Sequence, residues 1–354
     1  PEDFYADDEM VITISHMGYI KRTPLTEYRA QNRGGVGSKG SDTRDSDFIE
    51  YIYTATMHNT MLFFTQRGKC YWLKVYEIPE GNKNSKGRAI QNMLNIDADD
   101  AVNAFVRVTT LADKNFIESH NIVFCTKNGI IKKTSLEQYS RPRTNGIIAI
   151  TIREDDKVIS VALTDGDSDI ILANRGGKAV RFNESTVRAM GRTATGVKGM
   201  DIDENDEVVG MVVLPKNDEA EHSLLVLSEQ GYGKRSATDD YPTVSRGCKG
   251  VKTLQVTEKT GQLVAIMDVN NENDLMIINK SGITIRTSVD QIPVQGRATQ
   301  GVRIINLEKR NDEIASVCKV LSATDENEET TETVTPENGE QPTSSQENLN
   351  PSNE

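Results

Sequence analysis

Short apolar runs of about four residues recur along the chain, each followed by a polar pair or triplet, a glycine, and a second short run ending in basic residues. The first copy reads Val11, Ile12, Thr13, Ile14, then Gly18, then Tyr19, Ile20, Lys21, Arg22. Further copies centre on Gly68 after Met61 to Phe64, on Gly129 between Ile122 to Cys125 and Ile130 to Lys133, and on Gly176, Gly231 and Gly282. Such a pattern predicts two strands joined by a tight turn in which glycine supplies a positive φ. Successive glycines are 50, 61, 47, 55 and 51 residues apart. These steps are too long for one hairpin and regular enough to define a repeat, and a period of about 50 built from short strands predicts propeller blades.

Two further landmarks complete each copy. Some 17 to 20 residues after the glycine comes a turn rich in glycine and basic residues: Ser85 to Arg88, Arg141 to Gly146, Arg192 to Gly199, Arg246 to Lys252 and Arg297 to Arg303. A more continuously apolar strand follows, at Ala101 to Val108, Val158 to Leu163, Val208 to Leu214, Leu263 to Val269 and Ile314 to Val320. Apolar residues at consecutive positions predict a strand covered on both faces. With four strands per repeat, the expected fold is all-β: six four-stranded antiparallel blades in a propeller-like array over residues 1–320. The blade limits fall near 9–59, 60–119, 120–165, 166–220, 221–271 and 272–320.

Charge changes the picture at one end. The formal net charge is −12, but residues 321–354 hold nine acidic residues and no Lys or Arg, which leaves 44 acidic against 41 basic residues before them. The near-neutral part is the folded part. The tail, rich in Thr, Glu, Asn, Ser and Pro, cannot bury enough apolar surface to offset its ordering entropy and is expected to be disordered. No apolar stretch approaches 18 residues and no secretion leader is visible, which predicts a cytoplasmic protein. Because the first residue is Pro1 rather than Met, the chain reads as a fragment of a longer polypeptide. Cys70, Cys125, Cys248 and Cys318 stand singly, without a C-x-x-C pair, and read as free thiols rather than zinc ligands or disulfides. No metal site is expected. His16, His58, His120 and His222 belong to no catalytic motif and read as structural or solvated.

Basic residues recur three or four positions after the repeat glycine: Lys21 and Arg22, Lys132 and Lys133, Lys234 and Arg235, and Arg286. Equivalent positions of a circular array share one circumference, so these cations are expected to form a curved track for a phosphate backbone. Arg181, with Lys198, Lys249, Lys252 and Arg303 from the basic turns, completes the candidate set. Few aromatic residues flank these slots, which favours duplex over single-stranded DNA. A glycine-rich box, Gln31 to Gly40, closes the first repeat. Gly34, Gly35 and Gly37 permit close backbone approach to an anion, and Arg33 and Lys39 supply charge. It is not a nucleotide-binding P-loop, because Ser41 follows Gly40 where Lys is required.

The six repeats, the first copy at His16 to Arg22 and the box together resemble the C-terminal domain of the DNA gyrase A protein, over about Glu9 to Val320. The family box reads Gln, basic, Arg, Gly, Gly, basic, Gly; this chain matches at Gln31, Arg33, Gly34, Gly35 and Gly37 and departs at Asn32 and Val36. Lys39 is the nearest replacement cation, at a different offset. The resemblance implies a six-bladed β-pinwheel that wraps duplex DNA with positive writhe so that gyrase introduces negative supercoils. It implies no catalysis in this fragment and no cofactor of its own. ATP, Mg and the strand-cleaving tyrosine belong to the rest of the holoenzyme, in which the N-terminal part of gyrase A, together with gyrase B, is the implied partner. It also implies a monomeric fragment in the bacterial nucleoid, with an acidic tail that modulates wrapping. Two alternatives stand beside it: a topoisomerase IV domain that binds DNA without wrapping it, and a protein-interaction propeller, for which Trp-Asp or kelch signatures are missing.

Overall fold

The computed structural model describes residues 1–32, 43–44, 47–82, 84–216, 218, 221–281, 283–307 and 312–321. Among these, strands form six four-stranded antiparallel sheets. Each sheet has a hairpin at its centre, such as Thr60–Thr65 with Lys69–Lys74, a longer strand on one side, such as Val102–Val108, and a two-residue strand on the other, such as Ile147–Ile148. The longer strands touch those of neighbouring sheets and therefore line the axis. The two-residue strands form the perimeter.

The first hairpin strand is the one covered on both faces. Thr60–Thr65 and Asp169–Asn174 are buried at every position, and alternation sends their side chains to opposite seams: Met61 and Phe63 pack against blade 1, Leu62 and Phe64 against blade 3. The axial strands, expected from their apolar runs to be sandwiched, are half-buried instead; Val158–Thr164 is buried only at its two ends. Their side chains still go to both flanking seams: Val208, Met211 and Val213 to one, Val209, Val212 and Leu214 to the other.

A second difference concerns connectivity. A repeat does not supply all four strands of its own blade. Arg88–Ala89 of the second repeat pairs with Tyr19–Pro24 of the first, and Ile147–Ile148, Val197–Lys198, Val251–Lys252 and Val302–Arg303 each complete the preceding blade in the same way. Blade 6 receives its perimeter strand from the first repeat, Thr43–Arg44 against Ile283 and Thr284, so the ring closes.

The hairpin turns obey one chemistry. Ser15, Thr65, Thr126, Asn174 and Ser228 each accept, through a side-chain oxygen, the backbone N–H of the residue four positions on. The turn glycine of the fourth repeat is Gly177 (φ +89°), not Gly176, and it aligns with Gly18, Gly68, Gly129 and Gly231; Gly282 lies outside the described residues.

The glycine just before each perimeter strand has a different necessity. Gly250 has φ +82°, and a Cβ there would lie 2.2 Å from the carbonyl oxygen of Ala179; Gly196 has φ +105° and would meet the Ile131 oxygen at 2.5 Å. The crossing segment approaches the hairpin so closely that only a hydrogen fits. Gly250→Ala is therefore expected to cost at least about 2 kcal/mol more in urea denaturation than Gly166→Ala, because Gly166 shares a positive φ (+99°) but faces open space. Equal losses would mean that backbone strain alone, not close docking, decides the position.

Candidate nucleic-acid interface

The basic slots of the hairpins do not face solvent. Lys132 is fully buried, and its Nζ donates to the carbonyl oxygens of Ala149 at 2.6 Å and Arg192 at 2.7 Å. Lys234, also fully buried, donates to Gly296 at 2.7 Å, Arg297 at 2.5 Å and Thr299 at 2.8 Å. Lys21 donates to Asn82 at 2.7 Å and Ser85 at 2.9 Å. Lys21 and Lys234 gather carbonyls of the crossing segment that the next repeat lays over the blade, and Lys132 joins one such carbonyl, that of Arg192, to Ala149 of its own repeat.

The following position clamps the next repeat's single 3-10 turn. Arg22 donates to the carbonyls of Tyr76 and Ile78, Lys133 to Glu184, Arg181 to Thr238 and Arg235 to Ile292. Blade 2 has no cation in this pair of slots. Trp72 takes the second one and donates its indole N–H to Tyr139 O at 2.9 Å. The common property of this slot is a long donor, and charge is incidental to it. Arg286 pairs with Asp274 of its own blade at 2.8 Å, as Arg181 does with Asp169 at 2.9 Å.

The sequence expectation that Lys21, Arg22, Lys132, Lys133, Arg181, Lys234, Arg235 and Arg286 make an open track is thus corrected. Apart from Arg286, they are turned into the seams between blades, where carbonyl partners compensate desolvation, joined by the Glu184 carboxylate at Lys133 and the Asp169 carboxylate at Arg181. Burial pushes the Lys132 amine down to about 7 and Lys234 down to about 8.

Exposed cations recur on the perimeter strands and their turns, beside others elsewhere such as Arg67, Lys114, Lys216 and Lys280. Lys198, Lys252 and Arg303 occupy the same register position in blades 3, 4 and 5, opposite the residue after the turn glycine, and all three are exposed. Ala89 and Ile148 hold that position in blades 1 and 2, with Arg88 beside the former. Lys86, Arg88, Arg141, Arg143 and Lys249 extend the exposed set along the same turns.

Three arginines tie these strands together. Arg192 donates to Ile148 O, Arg246 to Lys198 O at 3.0 Å and Arg297 to Lys252 O at 2.6 Å. Each guanidinium reaches from one crossing segment to the perimeter strand of the blade before, which places cations without interruption from blade 2 to blade 5. Acidic neighbours are few and exposed. Asp201 lies 3.7 Å from Lys198 and Asp203 lies 2.8 Å from Lys249, and exposed pairs of this kind contribute only ~0–1 kcal/mol, so a phosphate can replace them. Arg303 donates to the Tyr232 hydroxyl at 3.1 Å with its guanidinium 5.3 Å from the ring centroid, which holds it at the edge.

Of the glycine box, Gln31 falls in the last turn of the helix Leu25–Asn32. Arg33, Gly34, Gly35, Gly37 and Lys39 lie outside the described residues, in the connection that leads to the perimeter strand of blade 6. Arg192, Arg246 and Arg297 are visible in the sequence as the recurrent arginine four residues before a turn glycine. They are not in the candidate set, because no local signal shows that each reaches the perimeter strand of the preceding blade, 44 to 48 residues away in the chain.

The model of the DNA gyrase C-terminal domain, a β-propeller, matches this chain in six segments, residues 9–55, 59–109, 120–165, 168–215, 222–270 and 273–318. The DNA gyrase A protein of Staphylococcus aureus (strain NCTC 8325 / PS 47) is 43% identical over 345 residues, which is 96% of this chain and 38% of that protein. Its counterpart from strain MRSA252 is 43% identical over 339 residues, 96% of this chain and 37% of that protein. The chain thus spans well under half the length of these relatives. Among solved structures, the C-terminal domain of a DNA topoisomerase IV superposes with a TM-score of 0.77 at 25% identity, over 91% of this chain and 96% of that one. A DNA gyrase A C-terminal domain superposes with a TM-score of 0.65 at 24% identity, over 89% and 100%, a likeness of fold.

The division of cations into clamps and perimeter has separable consequences. Lys132→Met removes the donor to the Arg192 carbonyl and leaves Ala149 O with the Tyr139 hydroxyl alone, and is expected to cost about 2 kcal/mol at pH 7, whereas Lys252→Ala changes stability by less than about 0.5 kcal/mol. The cost of Lys132→Met also depends on pH. The unfolded chain keeps the lysine proton to about pH 10.4, while the folded chain releases it near 7. Between these values the unfolded state binds more protons, so the wild type gains stability relative to the variant as pH rises. A gap that stays constant from pH 7 to 10 in denaturation curves would show that the amine remains charged when buried.

Proposed function

The chain belongs to the DNA gyrase C-terminal domain family, and from that premise we propose that its perimeter binds duplex DNA and bends it around the propeller with positive writhe, so that gyrase introduces negative supercoils. The observation that carries this reading is the continuous series of exposed cations on successive perimeter strands, joined by Arg192, Arg246 and Arg297. Backbone phosphates repeat along a duplex without regard to sequence, and a belt made of one slot per blade meets them in the same way. Bending a duplex over tens of base pairs costs on the order of 1–6 kcal/mol, which calls for several contacts spread over an arc.

In this reading residues 1–320 form the wrapping domain, working on the nucleoid with the remainder of gyrase A and with gyrase B. Cleavage chemistry, ATP and Mg lie outside this chain. The box residues Arg33 and Lys39 add contacts where the first repeat crosses to blade 6. The acidic segment 321–354 competes with DNA for the perimeter. A second reading keeps binding without wrapping; the closed ring and the likeness to the topoisomerase IV domain support it.

Replacing Lys198, Lys249, Lys252 and Arg303 together with Ala is expected to weaken duplex binding and to flatten the dependence of log affinity on log salt by about 0.9 for each phosphate no longer neutralised. An unchanged slope would move the DNA off this perimeter. Relaxed plasmid sealed by ligase at saturating protein separates the two readings. A linking number shifted upward supports wrapping, and an unshifted one with retained binding supports the second. Truncation after Leu321 is expected to tighten binding at low salt, and an unchanged affinity would remove the tail from this scheme.

A further inference from the structure

Blade 6 meets blade 1 at the seam that closes the ring. Among the described residues, Met276, Cys318 and Val320 form a buried apolar cluster there, with Phe48 and Ile278 packed against it. At that seam three side chains converge from distant parts of the chain: His16 after the first hairpin strand of blade 1, Glu50 on its axial strand Ile49–Thr56, and Cys318 on the axial strand Ile314–Leu321 of blade 6.

His16 Nδ1 lies 3.0 Å from Glu50 Oε2 and 3.8 Å from Cys318 Sγ, and the three ligand atoms all lie within 4.8 Å of one another. Without an ion, the Glu50 carboxylate can accept from both the His16 ring N–H and the Cys318 thiol. A divalent cation is the other partner that suits all three, since each offers it one ligand atom. Tetrahedral zinc with Zn–N near ~2.0, Zn–O near ~2.1 and Zn–S near ~2.3 Å requires ligand separations of about 3.3–3.6 Å, and the observed N···O and N···S distances bracket that range. Stacking on Phe48, with ring centroids 4.9 Å apart, sets the orientation of the imidazole. Access exists from two sides, since Glu50 and Cys318 line one cavity among the axial strands and His16 and Glu50 line another beside blade 2.

The geometry points to a zinc-type divalent cation site formed by His16 Nδ1, Glu50 Oε2 and Cys318 Sγ, with water in the fourth position, that staples the last blade to the first. Binding displaces the thiol proton to solvent, and the thiolate and carboxylate then neutralise the ion. Two ligands belong to blade 1 and one to blade 6, so the metal's affinity for the site is also affinity of one blade for the other.

Cobalt(II) added to the metal-free chain tests this. One equivalent is expected to bind with a thiolate-to-metal charge-transfer band and tetrahedral d–d bands, both displaced by zinc. Cys318→Ser is expected to abolish the charge-transfer band, and Cys248→Ser, at an exposed thiol on the turn before the perimeter strand Val251–Lys252, to retain it. Because Cys318 is buried, the half-exposed His16 provides a second variant. His16→Gln is expected to keep the charge-transfer band at saturating cobalt while weakening binding at least about 100-fold. Zinc is also expected to slow amide exchange in 49–56 and 314–321. Absence of one-to-one binding, a band that survives Cys318→Ser or follows Cys248, or unaltered exchange in those strands under saturating zinc would each overturn the proposal.

Discussion

A two-residue strand cannot hold itself to a sheet. The perimeter strands contribute a single backbone pair or two to each blade, far too little to offset the entropy of ordering the long crossing segment that delivers them. What holds the segment is the set of donors buried beneath it. Lys132 and Lys234 each collect carbonyls of the crossing backbone, and the neighbouring slot fixes the next repeat's 3-10 turn. Burying an ammonium is costly. Here it is surrounded by oxygens that would be equally costly to bury alone, so the two penalties cancel against each other. Glycines such as Gly250, with a carbonyl where a Cβ would stand, complete the fit.

This hand-over of strands shapes the function as well as the fold. Because each blade is finished by the next repeat, the basic turn that precedes the hand-over is carried to the outer edge. Arg246 and Arg297 then reach back to the strand before. The chain therefore carries two populations of cations with different physical work. One is dry, carbonyl-bound and part of the seams. The other is wet, loosely paired with carboxylates such as Asp201 and Asp203, and free to exchange those partners for phosphate.

Closure brings the last blade against the first. Blade 6 meets blade 1 through Thr43–Arg44, which the first repeat hands to it, and, among the described residues, through a cluster around Met276, Cys318 and Val320. The convergence of His16, Glu50 and Cys318 adds metal-ligating side chains to that same seam.

Sequence periodicity alone determined the six-bladed all-β architecture, because short apolar runs, turn glycines and their spacing are local signals that tertiary context does not rearrange. It also marked the recurrent cations at Lys132, Lys133, Lys234 and Arg235, but not what they face. That a lysine at a repeated slot points inward is settled by a neighbour some 60 residues away, as the bonds from Lys132 to Arg192 and from Lys234 to Arg297 show. Tertiary structure likewise decided that each blade borrows its perimeter strand, that the ring closes through Thr43–Arg44, and that Cys318 meets a histidine 302 residues distant in the chain. A linear pattern records which side chains can donate or bind. Only the packing of one repeat on the next determines which of them water, a carbonyl or a phosphate can reach.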